Sequence, residues 1–406
     1  MGEENMTSAL NHETATALAH GIKASIGGIL ERHGERPPGS PGERACQEQL
    51  KAELEAAGFT AALEPFPVAQ KAFMAMPLVC SLLTLCSVPL YWIAPVLAPL
   101  PVFLAVVVFI CELVFYRHVL TPFFPKSTSY NVYAALPPRK ERKRRIVLAG
   151  HADAAYEWRF LRCCPRLFIL FPVLIVLSVL YVLVTTLAAA FTGGLNSGGA
   201  VWQWIGLSHA FALPGLAIGL CYANFKKVAP GAADNLSGAL CATELVKWMK
   251  ANDAALEHTE VVALVTGSEE AGLEGARAHI AAHRRELEET PTIAIAVDTM
   301  AELAHLYIYN RDLNGRVAHD TAVCELLRDA GKACGLDLKY ATVTIGSSDG
   351  TAFTQAGIPA AAICAMNPAP AHYYHNRRDT LDVVEEACLA KTLELLLETC
   401  RRYDAA

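Results

Sequence analysis

Apolar positions along this chain form two different patterns. Most of the chain alternates short apolar runs with stretches at helical spacing, but two blocks are apolar almost without interruption. The first, residues 73–116, contains one charged residue, Glu112. It divides at the Pro-rich segment 94–101 into two stretches of ~20 residues, each long enough to cross a bilayer core. The second block gives residues 167–191, a polar break over 192–199, and residues 201–225. Uncharged runs of this length exceed what a globular core uses, so the pattern predicts four transmembrane helices in two hairpins. Lys71, Arg117 and Lys126 bracket the first hairpin, and Arg159, Arg162, Arg166, Lys226 and Lys227 the second, while the connecting turns carry no Lys or Arg. The positive-inside rule then places everything outside the hairpins on the cytoplasmic side. The acidic, polar N-terminal stretch 1–6 does not read as a signal peptide. Glu112, near the end of its span, is expected to snorkel. His209, deeper in the apolar run, is expected to hydrogen-bond to another helix.

Outside the hairpins, helix and strand signals alternate. Helical spacing covers residues 45–57, 237–250, 273–282, 318–333 and 384–401. Extended, β-rich runs cover 60–68, 128–136, 145–149, 260–266, 292–297, 339–344 and 360–365. Such alternation predicts an α/β fold, a three-layer sandwich whose mixed, mainly parallel sheet is covered on both faces by helices. The hairpins, residues 72–120 and 164–225, are then insertions into one discontinuous domain made of residues 1–71, 121–163 and 226–406. Composition agrees: in 406 residues, 53% are hydrophobic and 18% charged, which argues against disorder and against an ordinary soluble enzyme. A net charge of −6 provides no general field for nucleic acid. The local basic run 140–145 is expected to meet anionic headgroups or to stay solvated. Thirteen cysteines without a CxxC pair point to a reducing compartment. Nothing in the pattern speaks to oligomeric state.

Acidic and imidazole groups recur just after the buried strands. His151 and Asp153 follow 145–150, Glu269 and Glu270 follow 260–266, Asp298 follows 292–297, and Tyr374-His375 comes after 360–365. Asp234 sits at the start of a helix. The carboxyl edge of a parallel sheet is where α/β folds place ligands, so these groups are expected to converge. Two histidines with several carboxylates and no nearby cysteine suit Zn²⁺ first, and Mn²⁺ or Co²⁺ second. Five ligands are too many for one open tetrahedral ion. Shared through a bridging carboxylate, they give each of two ions three protein ligands and leave room for water. A carboxylate adjacent to a ligand is free to take that water's proton, and Glu269-Glu270 is such a pair.

Residues 36–43, 150–153, 231–238, 269–275, Asp298, 348–360 and 374–380, in this order, resemble the M28 family of zinc-dependent aminopeptidases across the whole non-hairpin portion. The resemblance implies a zinc-exopeptidase-like fold with two Zn²⁺ per chain. His151 and Asp298 would hold one zinc, Glu270 and His375 the other, and Asp234 would bridge them. Glu269 would be the general base, and Asp153 would orient His151 through its ring N–H. Asp349 and Tyr374 are expected to line the substrate pocket. Gly350 stands where the family often has His, which leaves that edge of the pocket open to change. His151 argues against the related single-zinc glutaminyl cyclases. The expected function is a membrane-anchored aminopeptidase that cleaves N-terminal residues from peptides. The alternative is a catalytically silent membrane scaffold or receptor, against which the intact ligand set and Glu269 both speak.

Overall fold

The computed structural model describes residues 10–197, 199–367 and 371–406, so the N-terminal stretch 1–6 and part of the second polar break lie outside the described residues. The chain divides into two compact units. One comprises Met1–Gln70, Lys126–Ala155 and Val228–Ala406, and the other Lys71–Pro125 and Tyr156–Lys227.

The first unit contains seven α-helices among its described residues: α1 His12–His33, α2 Pro41–Ala56, α3 Gly238–Ala251, α4 Glu274–Glu289, α5 Thr321–Ala333, α6 Asp349–Gln355 and α7 Glu386–Ala405. Its strands are β1 Ala61–Val68, β2 Ser127–Leu136, β3 Arg144–His151, β4 Thr259–Thr266, β5 Thr292–Met300, β6 Leu306–Asp312, β7 Val317–Ala318, β8 Lys339–Thr342 and β9 Ala360–Ala365. They form one sheet in the order β1-β2-β4-β3-β5-β9-β6-β8, with β7 on β6. The four central strands β4, β3, β5 and β9 run parallel. Antiparallel pairs at β1–β2, β2–β4 and β9–β6 make the sheet mixed. β4 is buried at every position and β9 likewise. That burial on both faces explains their continuous apolar runs.

Four elements of this unit, α1, β6, β7 and α6, escaped the sequence pattern. Helix α1 buries only Ala15, Ala19, Ile22, Ile26 and Ile29, a stripe in which two of the five residues are small. Strand β6 begins apolar but ends in Asn310, Arg311 and Asp312, which cuts its apolar run short. Ser40 caps α2, accepting the N–H of Glu43, with Pro41 in the first turn where its missing N–H costs nothing. Within the basic run, Lys140, Arg142 and Arg145 are held in ion pairs. Arg139 pairs with Asp253 (3.1 Å), Lys140 with Glu257, Arg142 with Glu260 (3.0 Å), and Arg145 with Glu260 (2.5 Å) and Glu286 (3.1 Å).

In the second unit, Met76–Ile93 and Leu170–Thr192 are long and apolar enough to cross a membrane. The other two expected spans differ from the sequence pattern. Pro99–Val114 is shorter and ends in a π turn over Ile110–Val114. The run 201–225 is not one helix: Ala200–Ser208 is followed by a 3₁₀ turn at His209–Ala212, then Leu213–Leu220, then a strand Ala223–Val228 paired with Tyr156–Trp158. Pro214 accounts for the break, because its ring and missing N–H fit only in the first turn of a new helix. Small residues face inward: a Cβ on Gly215 would lie 2.2 Å from Ser178 Oγ, and one on Gly219 2.0 Å from Ser81 Oγ. Ser81, Thr84, Ser87, Ser178 and Thr186 are buried, whereas Ile93, Phe191 and Phe211 are 80%, 86% and 85% exposed. Glu112 does not snorkel. It is buried, and its Oε1 accepts the N–H of Leu120 at 2.7 Å, fixing the chain where it leaves the helix. His209 meets Thr185 Oγ1 at 2.8 Å and packs edge-on to Tyr91, as expected of a helix-to-helix contact.

Candidate metal centre

The carboxyl ends of the parallel strands bring the five expected ligands together. His151 ends β3, Glu270 follows β4, Asp298 lies near the end of β5, Asp234 precedes α3, and His375 follows β9. Three overlapping groups have their donor atoms within 4.8 Å of one another: His151, Asp234 and Asp298; Asp234, Glu270 and His375; and His151, Glu269 and Glu270. Asp234 is central. Its Oδ1 lies 3.2 Å from His151 Nε2 and its Oδ2 3.1 Å from His375 Nε2, so the two oxygens address two different imidazoles. His375 Nε2 is also 3.2 Å from Glu270 Oε1, a buried oxygen without a hydrogen bond. Glu269 Oε2 stands farther off, 3.9 Å from His151 Nε2.

The loops are tied from outside by residues whose roles the sequence did not reveal. Asp153 does more than orient His151. The ring's Nδ1 lies 3.2 Å from the Asp153 carbonyl oxygen and 3.4 Å from its carboxylate, so a proton held there would turn Nε2 toward a metal. The Asp153 carboxylate instead accepts the N–H groups of Glu269 and Glu270, each at 3.0 Å. Asp379 does the same for the Asp234 loop, accepting from the N–H of Ala233 (2.8 Å) and of Asp234 (3.1 Å). Asn235 Oδ1 accepts from Gly238 and Thr299, and its amide donates to Val297 O, locking the start of α3 to the end of β5. Arg36, fully buried, donates to the carbonyls of Ala152 (3.0 Å), Pro230 (2.8 Å) and Gly231 (3.1 Å), clamping two ligand loops. Glu43 accepts from the N–H of Gly39 and of Ser268 and from the Ser129 hydroxyl. Ser268, Thr299 and His375 adopt left-handed backbone (φ 53°, 50° and 47°), a cost of about 1–3 kcal/mol each, and the bonds to Glu43 and Asn235 hold the first two. These polar residues beside Gly and Pro were visible in the sequence, but their roles depend on what they are buried against.

Burial and crowded charge shift the acids. Burial, reinforced by Asp234, pushes Asp298 up to about 7. Burial raises Glu269 strongly, with Glu270, Asp349 and Asp298 adding to it and His151 opposing. Burial likewise raises Asp234, but its bonds to His151 and His375 more than reverse this and hold it low. Burial opposes the charge on His375, yet Glu270 and Asp234 raise it to about 10. This donor set is that of a divalent cation site: hard carboxylate oxygens and imidazole nitrogens, buried, with no thiolate. Asp349 accepts from Thr266 Oγ1 (2.6 Å), its other oxygen is unpartnered, and burial raises it to about 6. Tyr374 stacks on His375 with ring centroids 3.8 Å apart.

Residues 219–400 match Peptidase family M28. No curated protein matches this chain. Several solved structures share its fold. An aminopeptidase from Aneurinibacillus sp. strain AM-1 is 14% identical over 96% of this chain and 95% of that one, with a TM-score of 0.57. BSAP, a zinc aminopeptidase from Bacillus subtilis, is 14% identical over 98% and 96%, TM-score 0.56. An Acidobacteriales bacterium glutaminyl cyclase is 15% identical over 100% and 98%, TM-score 0.56. At these identities the likeness is one of fold. The family match supports a zinc-dependent, metallopeptidase-like enzyme.

Proposed function

We propose that the chain is a membrane-anchored dinuclear zinc aminopeptidase acting on N-terminal peptide bonds. His151 and Asp298 would hold one zinc, Glu270 and His375 the other, and Asp234 both. The observation that carries this reading is Asp234, with one carboxylate oxygen toward each of two histidines. Bound zinc supplies Lewis-acid polarisation of the scissile carbonyl and acidifies the attacking water. The chain supplies the proton traffic. Glu269, 3.9 Å from His151 Nε2 and next in sequence to a proposed ligand, accepts the water's proton and returns it to the leaving amine. Its raised affinity for protons, set by burial first, moves it toward the range a general base needs. The backbone bonds from Glu269 and Glu270 to Asp153 keep base and ligand in fixed relation. Asp349 and Tyr374 face the substrate.

The proposed anchor comprises four apolar segments, with the catalytic unit on the cytoplasmic side. The outward large apolar side chains and inward small polar ones of the second unit support it, as do the basic flanks at Lys71, Arg117, Lys126, Arg159, Arg162, Arg166, Lys226 and Lys227.

Replacing Glu269 with Gln should leave zinc near two per chain while lowering turnover about 10²–10⁴-fold. Undiminished hydrolysis of amino-acid p-nitroanilides in detergent would sink the assignment. A second reading, cyclisation of N-terminal glutaminyl peptides, is favoured by the glutaminyl cyclases that share the fold. Product mass on such a peptide separates the two, since hydrolysis adds water across the first peptide bond and cyclisation expels ammonia.

A further inference from the structure

A second histidine–carboxylate cluster lies apart from the candidate centre, and the proposed reaction makes no use of it. His279 and His283 sit four residues apart on α4, a spacing that places both rings on one helix face, and their ring centroids are 4.4 Å apart. Glu64, on the edge strand β1, meets both: its Oε2 lies 3.2 Å from His279 Nδ1 and its Oε1 2.5 Å from His283 Nε2. Donor atoms of all three fall within 4.8 Å of one another. Two ligands about 2.0–2.1 Å from a tetrahedral zinc lie roughly 3.3 Å apart, so the cluster needs only small side-chain adjustments to close on an ion.

The surroundings hold the rings in place. Tyr133 stacks on His283 (5.2 Å, 15°) and lies against His279 (5.4 Å). The α4 backbone leaves helical geometry at His283 (φ −107°, ψ 16°), turning that residue toward the strand. His279 is 1% exposed, and burial first, opposed by Glu64, keeps its ring neutral, the form that ligates. His283 and Glu64 are 20% and 22% exposed, which leaves one side open to water as a fourth ligand. Arg145, near this face, is engaged by Glu260 and Glu286.

We propose that Glu64, His279 and His283 form a separate divalent-cation site, with zinc its preferred ion, that clips α4 to the sheet edge. Two imidazoles and one carboxylate with an open position favour zinc over magnesium or calcium, which take oxygen ligands. Because α4 begins directly after the turn that carries Glu269 and Glu270, the clip braces that turn from behind.

The test uses the full chain in detergent, stripped with a chelator and re-equilibrated with zinc alone, with metal counted by elemental mass spectrometry. Wild type should hold one zinc more per chain than His279→Gln/His283→Gln. In an Asp234→Ala background, which disables the candidate centre, one zinc should remain and vanish when His283→Gln is added. This arm separates failure of the clip from failure of the peptidase reading. Should the double variant not fold, His283→Gln alone, at the partly exposed rim, should weaken that zinc about 100-fold and abolish the zinc-dependent part of the rise in melting temperature. Equal zinc counts in wild type and His283→Gln, or in the two Asp234→Ala chains, would reduce the cluster to a plain ion pair and overturn the proposal.

Discussion

At the scale of single residues, buried carboxylates tie the loops of the candidate site to the backbone. Asp379 spends both oxygens on the backbone N–H groups of Ala233 and Asp234, so Asp234, the proposed bridge, is held through its own main chain. Asp379→Asn keeps the shape but can accept only one of these bonds, and zinc affinity should drop about 10–100-fold by competition against a chelating dye. A second expectation concerns pH. His375, raised to about 10 against the opposing effect of burial, must be neutral to bind metal. Raised carboxyls such as Asp298, at about 7, must lose protons as well. Both effects have the same sign: zinc binding releases protons and strengthens as pH rises. Titration calorimetry of stripped protein at about pH 6.5 and about pH 8.5, in buffers of different ionisation heat, should show tighter binding and proton release. Affinity independent of pH would contradict the assigned ligands.

At the scale of elements, close approach between helix and sheet positions the ligands. A Cβ on Gly238 would stand 1.9 Å from the carbonyl oxygen of Val297, and one on Gly150 would stand 2.5 Å from the amide nitrogen of Ala239. Thus α3 rests directly on β3 and β5, and Asp234 and Asp298 inherit their separation from that contact. Gly238→Ala should cost at the upper end of the about 1–3 kcal/mol range of overpacking, lower the urea midpoint and release zinc together. A variant with wild-type midpoint and zinc content would show that the contact yields. Much of this level was legible in the sequence, because strands buried on both faces announce themselves as apolar runs and their ends carried His151, Glu270 and Asp298. What was not legible depended on partners far along the chain. Glu64 lies 215 residues from His279, and Arg36 lies 194 from Pro230, with no spacing rule to connect them. Helix α1 hid for another reason: two of the five residues in its buried stripe are alanine, which carries little periodic signal.

At the scale of the molecule, the second unit exposes large apolar side chains such as Ile93, Phe191 and Phe211, while it buries Ser81, Thr84, Ser87, Ser178 and Thr186 beside an apolar cluster of Val102, Val179, Val182 and Leu216. Such a surface should keep the protein in the pellet after a carbonate wash and release it only with detergent; release by carbonate would rule out spanning segments. For sidedness, a chain whose only cysteines are Cys163 and Cys164, both exposed, should react with an impermeant maleimide only once cells are opened. Labelling of intact cells would reverse the orientation. The two units are also interleaved along the chain, and this sets an order of events during synthesis. Among the five proposed ligands, His151 alone is translated ahead of residues 156–227, and Asp234, Glu270, Asp298 and His375 all come after. When the last apolar helices leave the ribosome, the nascent chain holds a single imidazole of its future centre. If the proposed anchor and ligands hold, delivery to the bilayer would precede metal capture, and the chain would gain its centre only after its apolar segments have been placed.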